Sequence, residues 1–296
     1  MSRTSIASSS RRETAPPADV PSVPGRPEEV RRTLQALGVV PSKRAGQSFL
    51  VDPFVADAEA ALVGVPPGRP VLEVGGGLGL LTAALLRRGL GPLTVVEKDP
   101  RLAGFLRTTF GGRIQVRTVD ALKVDLSRTD CLIGNLPYSV GTAILTRAFA
   151  ARVPRAVFLV QREVAERVAA GPGSKAYGRL SIFARCYGSV ELFRTVGPDA
   201  FFPPPRVESR LAVHVARPGP LPVGSVATLE RAVNRLFSSR RKQLGNLLPR
   251  LGVGEPEELA EAAGWPEDWA RRRPEELPPE AYFALSDALD ARPSAS

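Results

Sequence analysis

The tetrapeptide Asn135-Leu136-Pro137-Tyr138 carries the chemistry that is easiest to name in this chain. It offers a side-chain amide oxygen, a backbone carbonyl whose direction a proline fixes, and an aromatic face. That set suits a flat base with an exocyclic amino group. The lone pair of an adenine N6 is delocalised into its ring. Two acceptors on the N6 hydrogens, the Asn135 side chain and a carbonyl of Leu136 or Pro137, would favour the pyramidal, nucleophilic geometry, with Tyr138 stacked on the base. The plain alternative is a strand that ends in an Asn-x-Pro turn with Tyr138 merely packed.

The elements around it decide between the two. Cys131-Leu132-Ile133-Gly134 reads as the end of a buried strand, and Thr142-Ala143-Ile144-Leu145 as the start of a helix, so the motif sits at the carboxyl end of a strand, where open α/β sheets hold ligands. Upstream, Val71 to Val74 reads as a strand, Gly75-Gly76-Gly77-Leu78-Gly79 as a tight turn and Leu80 to Arg88 as a helix stopped by Gly89. Leu93 to Val96 is a second strand ending in Glu97. Arg101 to Thr108 reads as a helix, Ile114 to Val119 as a strand ending in Asp120, and Arg155 to Val160 as a further strand followed by a helix near Glu163 to Ala169. Strands with acids or amides at their carboxyl ends, separated by helices, predict a doubly wound, Rossmann-like α/β sheet.

Within that sheet the glycines at 75, 77 and 79, with Leu80 in place of a third fingerprint glycine, argue against a nicotinamide or flavin site. The turn still lets a ligand approach the backbone. Glu97, 22 residues after Gly75, stands where an acid accepts hydrogen bonds from both ribose hydroxyls, and Asp120 where one accepts from an adenine amino group. A carboxylate there would repel a 2′-phosphate, so the ligand is expected to be an adenosine without one.

Composition bounds the rest. The 296 residues carry a net charge of +10 with a pI near 10.4, which points to a polyanionic partner, nucleic acid first. Cys131 and Cys186 lie far apart and outside any metal-ligand spacing, so no metal site or disulfide framework is expected and a reducing, cytoplasmic setting is. No apolar run reaches membrane-spanning length. Residues 1–26 are expected to be a disordered tail; its Arg- and Ser-rich start resembles an organellar leader, but Pro16, Pro17, Pro21 and Pro24 would break the amphipathic helix such a leader needs.

Helices are expected over residues 28–37 and 52–63. Between them Lys43-Arg44-Ala45-Gly46-Gln47-Ser48-Phe49-Leu50 reads either as a loop folded over a ligand or as a basic surface loop anchored by two apolar residues. Further on, the glycine-rich basic loop from Gly171 to Arg179, with Lys175, is a candidate phosphate contact. Phe201, at the head of the run Phe202-Pro203-Pro204-Pro205, is a candidate to cover the second face of a flipped base, or else a core anchor. His214 is expected to be an ordinary outward-facing residue of the strand Leu211 to Val215. From Leu221 the pattern becomes helical, with Arg240, Arg241 and Lys242 as a basic edge, so residues 27–216 are expected to form the catalytic domain and 221–290 a small helical domain whose cations either contact RNA phosphates or cap a helix C-terminus.

With these residues assembled, the chain resembles the ribosomal RNA adenine N6-dimethyltransferase family from about Lys43 to Leu289. The resemblance rests on Gly46 to Leu50, the glycine turn, Asn135 to Tyr138, Val160-Gln161-Arg162-Glu163-Val164-Ala165, Lys175-Ala176-Tyr177-Gly178, Phe201 with its prolines, and Phe237 through Asn246. It implies an S-adenosylmethionine-dependent enzyme that dimethylates two adjacent adenines near the 3′ end of small-subunit (16S) ribosomal RNA, on an assembly intermediate of the 30S particle, acting as a monomer. It implies a cofactor site made by Gln47, Ser48, Leu50, Gly75, Gly77, Glu97, Lys98, Asp120, Ala121 and Asn135, a target-base site made by Asn135 to Tyr138 with Phe201, and RNA contacts by Lys43, Arg44, Lys175, Arg240, Arg241 and Lys242. The chain departs from the family at Ser48, where asparagine is usual and the contact to the cofactor is shortened, and at Gly76, where proline is usual and the turn is expected to loosen.

Overall fold

A computed structural model describes residues 20–42, 47–252 and 254–292. The expected tail therefore lies outside the described residues up to position 19, as do Lys43 and Arg44. Residues 20–26 are not a free tail: Val20 and Val23 are partly buried against the apolar cluster on one face of the sheet, and the N–H of Gly25 donates to Glu29 Oε2 at 3.1 Å.

Helix α1 (Pro27–Ala36) places Glu28 and Glu29 in its first turn, where the helix dipole favours acids, and gives way at Gly38, whose φ is +65°. The short strand β1 (Phe49–Leu50) leads into α2 (Pro53–Ala61), capped by Asp52, whose Oδ1 accepts from Phe54 N at 2.8 Å. The alternation read from the sequence follows: β2 (Val71–Val74), α3 (Leu80–Arg87), β3 (Leu93–Glu97), α4 (Pro100–Phe110), β4 (Gln115–Thr118), β5 (Cys131–Asn135), α5 (Gly141–Ala150), β6 (Arg155–Gln161) and α6 (Arg162–Ala169). Next come α7 (Arg179–Tyr187), β7 (Gly188–Val196), β8 (Phe201–Phe202) and β9 (Ser209–Ala216). Helices α8 (Val226–Phe237), α9 (Pro256–Ala262) and α10 (Pro279–Asp290) complete the order.

Seven strands form one sheet in the order β4-β3-β2-β5-β6-β9-β7, parallel except for β9, which runs antiparallel to both of its neighbours. The chain winds outward from β2 to β4 and then crosses to β5 on the other side of β2, so the topological switch point lies between β2 and β5. Strand β2 is buried along its whole length, as a parallel strand covered on both faces must be. One apolar cluster continues from Leu72 and Leu132 through Phe149 of α5 and Tyr187 of α7 to Leu229 of α8 and Tyr282 of α10. The C-terminal helices thus share their core with one face of the sheet.

His214 corrects the sequence expectation. It is 1 % exposed, because β9 is an interior strand with helices over it, and its ring lies 4.3 Å from that of Phe149. Burial pushes its pKa down to about 4. A second buried polar group, Glu59 of α2, has neither carboxyl oxygen hydrogen-bonded, and burial, with the nearby charge of Glu73, raises its pKa well above the carboxylate range.

A raised acid pKa stabilises the fold fully only below the unfolded value and loses that contribution as pH climbs toward the native one. Glu59→Leu is therefore expected to raise stability, with the gain over the native chain growing as pH rises above roughly pH 5. Urea unfolding at several pH values between 5 and 7 checks this; a gain independent of pH would refute it.

Candidate active site

The site begins where β2 and β5 touch. A Cβ on Gly134 would lie 2.3 Å from the carbonyl oxygen of Val74, so glycine alone permits the strands this approach. The glycine turn after β2 and Asn135 at the end of β5 consequently face each other. Gly75, Gly77 and Gly79 all have positive φ, which lets the backbone reverse without a side chain over the cleft. The turn is tied down from β3: Glu97 Oε2 accepts from Gly77 N at 3.0 Å, and its Oε1 accepts from Asp99 N at 2.9 Å. Burial raises the pKa of Glu97, and these backbone N–H donors oppose the shift. At Gly76 the packing is tight. The space a Cβ would occupy is filled by Val95 Cγ1 at 2.4 Å and Leu106 Cδ1 at 2.8 Å, and Gly79 N donates to Gly76 O at 2.8 Å.

Asn135 is half-buried, and its Oδ1 is fully buried with no hydrogen-bond partner. Unpaired buried acceptors cost about 1–3 kcal/mol, so such an atom at a cleft wall calls for a donor. After it, Leu136 N donates to Leu159 O at 3.1 Å, and the carbonyl of Pro137 accepts from Val140 N at 3.0 Å and Gly141 N at 2.8 Å, which starts α5. Of the two carbonyls left open by the sequence, that of Pro137 is thus already used. The Tyr138 hydroxyl and Ser209 Oγ of β9 are 2.8 Å apart and hydrogen-bonded, which sets the ring's orientation. Phe201 is buried and pairs with Leu50 across the two-stranded β1–β8 ribbon.

The opposite end of the cleft is a turn after β4. Asp120 caps it by accepting from Leu122 N at 3.0 Å and pairs with Lys98 Nζ at 2.9 Å; these two contacts, the backbone one first, lower its pKa. Arg147 of α5 reaches the same turn, donating to Ala121 O at 3.1 Å and Val124 O at 2.8 Å. Helix α5 therefore begins at the Asn135–Tyr138 motif and its last turn clamps the Asp120 loop.

Gln47, Ser48, Leu50, Gly75, Gly77, Glu97, Lys98, Asp120, Ala121, Asn135, Leu136, Pro137, Tyr138 and Phe201 all line this one cleft of about 240 Å³. Two side chains have local duties instead. Gln47 Oε1 accepts from Ser42 N at 3.0 Å and closes its own loop, and Ser48 Oγ donates to Pro203 O at 2.8 Å, fastening that loop to the segment after β8. Lys175, Arg240, Arg241 and Lys242 lie outside the lining, around the C-terminal helices.

Sequence reasoning missed Glu73, Val119, Ser139 and Ser209, which also line the cleft. Glu73 had a readable signal, an acid inside an apolar strand just before the glycine turn. Burial pushes its pKa up to about 8, against a 2.7 Å bond from Thr82 Oγ1. Ser209 has no local signal; only the pairing of β9 with β6 brings it to Tyr138.

Residues 41–264 match the sequence profile of the family described as ribosomal RNA adenine dimethylase. The chain is 38% identical over 276 residues to ribosomal RNA small subunit methyltransferase A of Anaeromyxobacter dehalogenans, covering 88% of this chain and 97% of that one. It is 40% identical over 256 residues to the protein of the same name from Methylibium petroleiphilum, covering 83% and 96%. Among solved structures, the 23S rRNA methyltransferase ErmE superposes with a TM-score of 0.63 at 28% identity over 82% of this chain and 99% of that one. A dimethyladenosine transferase from Plasmodium falciparum shares the fold with a TM-score of 0.68 at 22% identity over 80% and 95%. The profile match and the relatives, which cover 83–88% of this chain and 96–97% of their own, agree: the chain belongs to the ribosomal RNA adenine dimethylase family.

Proposed function

We propose that this protein dimethylates N6 of two adjacent adenines near the 3′ end of small-subunit ribosomal RNA, with S-adenosylmethionine as methyl donor. The observation that carries the reading is the buried, unpartnered Oδ1 of Asn135 at the wall of a cleft that also holds Tyr138, Phe201, Glu97 and Asp120. The relatives named for the small subunit are 35–40% identical, against 28% for the large-subunit enzyme ErmE, which favours the small-subunit target.

The donor's adenosine fits the residues present. Glu97 ends β3 with a carboxylate able to accept from both ribose hydroxyls, the glycine turn leaves its backbone approachable, and Asp120 can accept from the adenine amino group. S-adenosylmethionine supplies the electrophilic sulfonium methyl group. The protein supplies alignment.

Asn135 Oδ1 accepts one N6–H of the target adenine. The Leu136 carbonyl takes the other, because that of Pro137 is bound to α5. Held by both, N6 would give up conjugation with the ring and offer its lone pair to the methyl group, the C–S bonding pair leaving with the donor as its neutral thioether. Neither acceptor is a base at neutral pH, so the displaced proton leaves to solvent. Tyr138, oriented by Ser209, stacks on one face of the base and Phe201 covers the other. Monomethyladenine keeps one N6–H and re-enters the same pocket for the second transfer.

No helix among the described residues is long and apolar enough to cross a membrane. The reading extends to a monomer that works in the cytoplasm on an assembly intermediate of the 30S particle, with Lys43 and Arg44 as RNA contacts.

Labelled S-adenosylmethionine offered to unmethylated small subunits, large subunits and DNA is expected to place N6-dimethyladenine on adjacent small-subunit adenines; label elsewhere would change the target, and none would remove the activity. Asn135→Ala is expected to abolish transfer while RNA binding stays within a few fold. A variant transferring at near the native rate would sink the role of the amide. Arg147→Met, which frees the Asp120 turn, is expected to weaken binding of S-adenosylmethionine and of adenosine alike, by roughly tenfold or about 1.4 kcal/mol. Calorimetry that finds both affinities unchanged would show that α5 does not position the adenine end.

A further inference from the structure

Resemblance assigns Ser48 to the cofactor site, but its hydroxyl is committed elsewhere. Ser48 Oγ donates to Pro203 O at 2.8 Å, which leaves it no proton for an acceptor on S-adenosylmethionine. This bond closes one end of the β1–β8 ribbon, and Val51 N, donating to Ala200 O at 2.8 Å, closes the other. Between the two bonds Leu50 lies opposite Phe201, and Phe49 opposite Phe202. Directly opposed residues share a face, so the ribbon has two.

Leu50 and Phe201 belong to the apolar cluster on the sheet and both line the cleft. The other pair, Phe49 and Phe202, packs into a small cluster with Val30 and Leu34 of α1, Leu78 of the glycine turn and Leu102 of α4. Phe49 also fits against the turn itself, because a Cβ on Gly77 would lie 3.2 Å from its ring. The segment after α1 is tied to the same turn from outside. Arg101 donates from Nη1 to Gly38 O and pairs with Asp99 at 2.6 Å, and Asp99 N donates to Glu97 Oε1 at 2.9 Å. One strand of the ribbon is thus seated, with α1 behind it, on the glycine turn and Glu97, while the other strand carries Phe201.

We infer that the β1–β8 ribbon couples the two halves of the cleft, so that S-adenosylmethionine and the target adenine strengthen each other's binding, and that Ser48 is a positioning residue that latches the two strands. The inference rests on the methylation reading above and adds to it how the two ligands of the site communicate. Ser48 acts on Phe201 through Pro203. A cofactor packed on Leu50 fixes β1, the latch passes that constraint to β8, and Phe201 is then held over the base. Alignment of N6 with the sulfonium methyl matters only when both ligands are present, and a coupling of this kind is reciprocal.

The experiment measures binding of unmethylated small subunits with and without sinefungin, an unreactive analogue of S-adenosylmethionine, and binding of sinefungin with and without small subunits. In the native protein each is expected to raise the affinity for the other by the same factor, about fivefold or more. Ser48→Ala is expected to bring that factor down to about one while sinefungin alone binds within about twofold of native, and Ser48→Thr, which keeps the hydroxyl, is expected to restore it. A factor of one in the native protein overturns the coupling. Weaker sinefungin binding by Ser48→Ala in the absence of small subunits, with the factor intact, makes Ser48 a direct cofactor contact and overturns the latch. A Ser48→Thr variant no better coupled than Ser48→Ala overturns it too. Methyl transfer by the native protein, mapped in parallel, separates the failures: methylation of small subunits without coupling leaves the enzymatic reading intact and removes this one, whereas no transfer to small subunits overturns both.

Discussion

The pressing of β5 onto β2 at Gly134 governs the rest of the site. A Cβ there would meet the Val74 carbonyl at 2.3 Å, so any side chain would push apart the two strands whose carboxyl ends form the switch point. With them in contact, Gly75 and Asn135 are neighbours: a Cβ on Gly75 would lie 3.7 Å from the Asn135 carbonyl. The glycine turn after β2 and the Asn135 amide then share one cleft.

Charge is arranged in layers around that cleft. Behind it, Glu59 and Glu73 are fully buried, and burial pushes both toward their neutral forms. At its wall Glu97 spends its oxygens on backbone N–H groups, fixing the turn while keeping acceptor capacity. Farther out, Asp120 is pulled toward its charged form by Leu122 N and Lys98. The result is a cleft with acceptors where an uncharged nucleoside needs them, on a protein whose net charge of +10 favours a polyanion.

Helix α5 joins the two ends of this arrangement. Its first turn is closed by the Pro137 carbonyl and its last carries Arg147 to the carbonyls of Ala121 and Val124. A shift of α5 would move the Asn135–Tyr138 motif and the Asp120 turn together. The departures from the family pattern fit the same local logic: Ser48 is long enough to hold Pro203, and Gly76 makes room for Val95 and Leu106.

By itself the sequence determined the βα alternation, the strand ends that carry Glu97, Asp120 and Asn135, and the helix from Val226 to Phe237, because these follow from local periodicity and from turn residues that punctuate it. Motif resemblance extended this to the family and to about half of the residues that line the cleft. What only the tertiary structure decided were partnerships between distant segments. β9 is an interior strand, which buries His214 and brings Ser209 to Tyr138, and no local pattern encodes which strand lies next to which. Of three adjacent cations, Arg240 is a strut while Arg241 and Lys242 stay exposed, because Glu275, which chooses between them, lies more than thirty residues away. Side-chain types are local and announce what a residue is able to do; a partner in space selects which of those abilities is used.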